Sequence, residues 1–225
     1  GPTERINYGQ INSKFVFNNT RYVGVNNPRG TRFTISYLAN YGLSTKTLDA
    51  TYLGKTENFQ TLNIDVRNYK KVVGGVTWAN RIAVGKFLSA KILRDPDYKY
   101  QRRSDPIWFS NPLYSFQGLD SSLVTKDFIY EAHFVHQDNG SIINKIPFMK
   151  KTRIGLVVGG GAMYVKEYNY QHYELLTGLE RNFKLSRRRL RIGIYGVVSD
   201  GNQTPLKATW KVSFAILDDR NMKWN

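Results

Sequence analysis

The stretch YQHYELLTGLERNFK, Tyr170–Lys184, interleaves two different rows of residues. One parity reads His172, Glu174, Glu180 and Asn182, and the other reads Tyr173, Leu175, Leu179 and Phe183. Successive side chains of a strand point to opposite faces, so this is a strand with one charged and one apolar face. A soluble sandwich turns the apolar row to a second sheet and the charged row to water. A strand of a membrane barrel does the reverse, with apolar side chains toward lipid and polar ones toward the lumen. The alternation is the same in both cases, so strand length, aromatic placement and loop lengths must decide.

Length favours the barrel. The two-faced pattern recurs in segments of ten or more residues, whereas soluble strands are usually about five or six. Arg29 to Tyr41 sets Thr31, Phe33, Ile35 and Tyr37 against Arg32, Thr34 and Ser36. Phe59 to Tyr69 sets Leu62, Ile64 and Val66 against Asn63, Asp65 and Arg67, and Leu123 to His136 sets Phe128, Tyr130 and Phe134 against Asp127, Glu131 and His133. With the opening stretch, Ile11 to Val23, Val76 to Phe87, Leu190 to Ser199 and Leu206 to Leu217, about nine long strands are expected, and Ser44 to Leu53 is a place for a further one. Short connections (Gly24 to Pro28, Lys70 to Gly75, Leu185 to Arg188) fall at one end, together with the longer Gln137 to Thr152. Gly42 to Asn58 and the long 88–122 segment fall at the other, the layout of short periplasmic turns and long external loops.

The run RIGLVVGGGAMYV, Arg153 to Val165, tests the reading. A phosphate-binding loop needs a Lys and a Ser or Thr after its glycines, opening a helix. Here Ala162-Met163-Tyr164 follows, which continues a strand. Gly155, Gly159 and Gly161 share one parity with Arg153, while Ile154, Leu156, Val158, Ala162 and Tyr164 share the other. The glycines are therefore expected on the lumen face, making room for bulky neighbours such as His172 or Arg191.

Composition narrows the function classes. There are 33 Lys and Arg against 17 Asp and Glu, a formal charge of +16, which calls for an anionic partner. The absence of cysteine removes disulfides, thiolate nucleophiles and Cys-ligated zinc. No apolar run reaches the 18 residues of a transmembrane helix, and no signal-peptide pattern opens the chain. Lys70-Lys71, Arg102-Arg103, Lys150-Lys151 and Arg187-Arg188-Arg189 stand mainly at strand ends, which suits lipid phosphates better than a nucleic-acid face. Trp78, Trp108, Trp210 and Trp224 are the candidates for an interfacial aromatic girdle.

Asp65, Arg67, Arg81, Glu131, His133, Arg153, His172, Glu174, Glu180 and Arg191 form the expected lumen set. Two histidines and several carboxylates on one parity could in principle hold a metal or an acid/base pair. No HExxH or comparable spacing accompanies them, so mutual pairing is the expected role, with no metal, no cofactor and no catalytic residue. Arg181, a further possible partner, lies on the apolar parity.

The run HQDNGSIINKIPFMKK (His136 to Lys151), the glycine strand, HYELLTGLERNF (His172 to Phe183) and LRIGIYGVV (Leu190 to Val198) together resemble the C-terminal barrel of a Bacteroidota outer-membrane family of unassigned function. The resemblance covers about residues 105 to 217 and implies fold and location rather than activity. Longer members carry a carboxypeptidase-regulatory-like sandwich ahead of the barrel, so its absence here, like the opening Gly1-Pro2, is expected of a fragment. NPRGTRF (Asn27 to Phe33) and the strand ending DVRNY (Asp65 to Tyr69) are more weakly similar to surface-antigen type outer-membrane barrels.

The expectation is thus an all-β protein, residues 1–225 forming a single antiparallel transmembrane β-barrel or the C-terminal portion of one, with about 8–10 long strands and one long external loop at 88–122. It is expected in the bacterial outer membrane as a non-enzymatic structural, channel or envelope-assembly protein. Its expected partners are outer-membrane lipid or lipopolysaccharide and other envelope proteins, and not nucleic acid. Two alternatives stand beside it: a soluble basic β-sheet protein binding nucleic acid or another polyanion, and an outer-membrane hydrolase, for which no triad motif is present.

Overall fold

Long alternating segments rich in aromatic and β-branched residues favour extended backbone, and the chain follows them closely. The computed structural model describes residues 5–22, 28–46, 59–73, 76–90, 100–102, 116–120, 123–125, 128–138, 140–185 and 188–218. Its strands are β1 (Arg5–Asn18), β2 (Arg21–Tyr22), β3 (Pro28–Lys46), β4 (Phe59–Lys71), β5 (Thr77–Ala90), β6 (Tyr100–Arg102), β7 (Leu123–Thr125), β8 (Phe128–Asp138), β9 (Ile154–Val165), β10 (Tyr170–Leu185), β11 (Arg188–Gly201) and β12 (Lys207–Asp218). The fold is all-β. Nine strands are long and join antiparallel in one sheet, in the order β1-β3-β4-β5-β8-β9-β10-β11-β12; β2 pairs with β3 beside them, and β6 and β7 form a separate ribbon. Among the described residues no pairing joins β1 to β12.

The opening stretch and the segment from Ile11 form one strand that stops at Asn18. The Asn18 side chain accepts the Thr20 N–H at 3.0 Å, and the Asn19 side chain accepts the Thr31 N–H at 2.6 Å, offering the backbone a turn in place of the ladder. At the far end β3 runs to Lys46, which pairs with Arg5; the rest of Ser44 to Leu53 lies outside the described residues. Because neighbours in sequence pair in space, connections alternate between the two ends of the sheet. The one from β8 to β9 is compact despite its length. The buried Asp138 carboxylate accepts the N–H groups of Ser141 at 2.5 Å and Ile142 at 2.6 Å, Gly140 turns with φ 89°, and a 3-10 turn follows over Ile143–Lys145.

One row of direct cross-strand partners runs through the whole sheet: Asn18, Arg32, Arg67, Arg81, His133, Gly161, Glu174, Ser199 and Lys207. It begins on the last residue of β1 and ends on the first residue of β12, which lie at opposite ends of the sheet. Eight inter-strand steps of about 4.8 Å cover roughly 38 Å, over which the strand ends slip by about a dozen residues of about 3.3 Å each. With level rims, the strands slope at roughly 45° to the sheet axis, near the 35–45° of barrel strands.

The glycines shape the inner face. A Cβ on Gly159 would sit 2.5 Å from the Phe134 carbonyl oxygen and 3.3 Å from a Val135 methyl. On Gly161 it would lie 3.0 Å from the Phe116 ring and 3.2 Å from His133 Nδ1, so the glycines share the face of His133, and the neighbours they make room for are Phe116 and His133. Tyr195 lies over Gly178, its cross-strand partner, and Gly193 of its own strand, in the space their side chains would fill. Gly196, on the outer face, meets nothing within 4 Å. Gly159→Leu should therefore destabilise the fold by about 1–3 kcal/mol or more through overpacking, while Gly196→Leu leaves it within about 0.5 kcal/mol. Denaturant midpoints of the two variants, followed by circular dichroism in detergent, check the contrast.

Candidate functional site: a charged inner face

The faces of the sheet are inverted relative to a soluble protein. Along β10, His172 is 1% exposed, Glu174 5% and Glu180 4%, while Leu175 between them is 70% exposed. Ile194 and Trp210 on the neighbouring strands are 59% and 75% exposed. Their outer rows are almost wholly apolar: Leu156, Leu179, Ile194 and Val212 are direct partners, as are Phe134, Gly160, Leu175, Val198 and Ala208. Together they make a continuous exposed apolar surface.

Charge on the inner face is paired, as burial requires. Asp65 on β4 receives a two-pronged bond from Arg67, Nε to Oδ1 and Nη2 to Oδ2, each at 2.9 Å. Arg81 on β5 reaches the same carboxylate, Nη2 to Oδ2 at 3.0 Å. A second group joins β10 and β11: the Tyr195 hydroxyl donates to Glu180 Oε1, and Arg191 Nη1 lies 4.0 Å from the same oxygen.

The third group carries the most structure. Glu174 lies beside His172, whose Nε2 is 3.4 Å from Oε2, and Tyr170 stacks on the same imidazole with its hydroxyl 3.5 Å from Nδ1. A strap from the long β5–β8 connection, Phe116–Asp120, lies on this group. The Gln117 N–H donates to both Glu174 oxygens, at 3.1 and 2.9 Å, and the Gly118 N–H to Oε2 at 2.9 Å. Phe116 packs between His133 and His172, with ring centroids 4.4 and 5.3 Å away. Leu119 joins Phe116 in an apolar cluster with Met163, Val165 and Tyr170. The strap FQGLD has no periodicity and no motif, so sequence reasoning passed over it.

The structure thus brings Asp65, Arg67 and Arg81 together, and separately His133, His172 and Glu174, and Glu180 with Arg191. Glu131 faces Ala83 and Met163 in register, on the parity of His133; its side chain lies outside the described residues. Arg153 does not join the face: it stands exposed just before β9, with φ 54°. Arg181 lies on the outer face over the Phe183 ring, 4.7 Å from its centroid. Trp78 is exposed at the start of β5 and Trp210 near the start of β12, which begins at the opposite rim; Trp108 and Trp224 lie outside the described residues. Among the described residues no three His, Asp or Glu are grouped to hold a metal ion, and no helix is long and apolar enough to cross a membrane.

The family described as "Family of unknown function (DUF5686) C-terminal domain" matches residues 50–179, from the β3–β4 connection to the middle of β10. The chain belongs to this family. The match includes the strap, the Asp65–Arg67–Arg81 group, His133, His172 and Glu174, while Glu180, Arg191 and Tyr195 lie C-terminal to it. Neither a curated protein nor a solved structure matches the chain.

Removing one member of a buried charge group leaves the rest uncompensated. Glu180→Leu should cost about 3–5 kcal/mol, and the double variant Glu180→Leu/Arg191→Met should recover much of the loss. A double-mutant cycle on unfolding free energies measures it; a fully additive double variant would mean that Arg191 and Glu180 do not interact.

Proposed function

We propose that this chain forms, or forms part of, an outer-membrane β-barrel whose charged interior is lumen and whose apolar exterior meets lipid, with a non-enzymatic structural, channel or envelope-assembly role. The observation that carries the reading is the inversion of faces: paired Asp, Glu, His and Arg withdrawn from water on one side, and exposed Leu, Ile, Val and Trp on the other. A soluble basic sheet has no reason to open an apolar face to water, and hydrocarbon has every reason to favour one. The slope of the register row supports closure, since barrel strands must tilt by a similar angle. Unpaired sheet edges are not tolerated in hydrocarbon, so on this reading β1 and β12 meet each other or further strands.

Lipid is the first partner. The exposed Lys70-Lys71 and Lys150-Lys151 stand at one rim, where phosphate headgroups lie. On the outer face a groove of about 440 Å³, floored by Ala132, Gly160 and Ala162 and walled by Phe134, Tyr173 and Leu175, suits an acyl chain. The lumen groups are engaged with one another and with the strap, which favours a supporting role over catalysis.

Two measurements test the reading. The refolded chain should need detergent to stay monomeric and should show heat-modifiable gel mobility; a detergent-free monomer without such mobility overturns it. Ile194→Arg, at mid-strand on the outer face, should weaken folding into lipid bilayers by about 2–4 kcal/mol, whereas Gln203→Arg in the β11–β12 connection should leave it unchanged.

A further inference from the structure

We propose that the β4–β5 and β8–β9 connections form one docking platform at the rim of the short connections, and that it binds an acidic polypeptide segment bearing apolar side chains. That this rim stands in an aqueous compartment rests on the barrel reading; the platform itself rests on its side chains.

The two connections leave the sheet side by side. β5 and β8 are neighbours, and Thr77, the first residue of β5, is the direct partner of Gln137, one residue before β8 ends. Lys70 to Thr77 and Gly140 to Arg153 together carry six basic residues, Lys70, Lys71, Lys145, Lys150, Lys151 and Arg153, and no acidic one. All six are exposed. Apolar side chains stand among them in the open: Val73 is 75% exposed, Ile146 52% and Phe148 100%. Phe148 has φ 72°, a left-handed conformation that a bulky residue rarely adopts, so the backbone holds an aromatic ring in water where glycine would be at ease. The larger connection is also well fixed. The Asp138 carboxylate anchors the N–H groups of Ser141 and Ile142, and a chain of turns follows: Ile146 N–H to the Ile143 carbonyl at 3.0 Å, Met149 to Ile146 and Thr152 to Met149 at 3.1 Å each. A surface already held in shape loses little freedom when a partner binds.

Charge and placement select the partner. Cations interleaved with exposed apolar groups, with no anion among them, complement a segment in which Asp and Glu alternate with apolar side chains. Lipid fits less well. Lys70 and Lys71 pair across the ladder with Trp78 and Thr77, the level of girdle and headgroups on the barrel reading, and Val72 and Val73 continue past them. An apolar tip on the water side of the headgroups is turned away from the hydrocarbon that the barrel spans.

The test uses the full chain folded in phosphatidylcholine nanodiscs and a fluorescent peptide, Asp-Phe-Glu-Leu-Asp-Phe-Glu, beside a counterpart with Ser at every acidic position. The acidic peptide should bind with a Kd of about 100 μM or tighter, more weakly as salt rises, and the counterpart should not bind. Phe148→Gly, which suits the positive φ, should fold as well as the wild type and weaken binding by about tenfold or more, as should Lys150→Glu with Lys151→Glu. Leu206→Ser, exposed at the opposite rim, should leave binding unchanged. Failure of the wild type to bind, or binding that ignores both platform variants, overturns the proposal. Phe148-dependent capture of added phosphatidylglycerol vesicles in place of the peptide overturns it too, in favour of a lipid surface. Absence of heat-modifiable mobility would instead strike the barrel reading, and the same titration on the detergent-free chain then judges the platform by itself.

Discussion

A charge taken out of water must find a partner, and the inner face of this sheet is arranged around that requirement. Asp65 is shared by two arginines, Glu180 lies between Tyr195 and Arg191, and Glu174 is met by His172 on one side and by backbone N–H groups on the other. These groups fix the register as much as they stabilise it. A slip of one residue between β4 and β5 would move Arg81 to the outer face and leave Asp65 with one partner. The same slip would bring the outer apolar row inward, so the two faces of each strand enforce one alignment.

Room on the inner face comes from glycine. Aromatic side chains occupy the space that glycines leave open: Tyr195 beside Gly178 and Gly193, and Phe116 of the strap beside Gly161. Glycine weakens a strand by itself, and an aromatic ring covering it restores burial while letting the sheet coil. The two clusters divide the interior. Tyr69, Ala79, Val135, Val157, Leu176, Tyr195 and Val197 make an apolar middle, and Ala83, Phe116, Leu119, Met163, Val165 and Tyr170 a second core near the rim of the long connections. The second exists because the strap supplies Phe116 and Leu119 to it. A connection thus completes a core that the strands alone leave open.

The family match gives the chain a place without an activity, and the inverted faces give it a physical setting. The residues that link the two are those the strap touches: His133, His172 and Glu174 lie within the matched segment, on β8 and β10 to either side of β9, under one short piece of backbone. Their chemistry resembles an acid/base or metal site on paper. In place Glu174 accepts two N–H groups of the strap, and Phe116 fills the gap between the imidazoles.

The period-2 pattern alone placed most of the long strands, though it divided β1 into two, and told which residues share a face, because side-chain direction in a strand depends only on parity. His172, Glu174 and Glu180 could be set opposite Tyr173, Leu175 and Leu179 from the letters of one segment. Parity does not say which face is buried, how far neighbouring strands slip, or which side chains meet across them. Arg153 shows the limit: it carries the right parity but stands one residue before the strand, with positive φ, and is exposed. Only the tertiary structure decided that the charged row is the buried one, that it runs obliquely from β1 to β12, and that FQGLD returns to cover it. The physical reason is that burial and strap docking are contacts between residues far apart in the chain, joined by backbone hydrogen bonds that every residue except proline can make whatever its side chain.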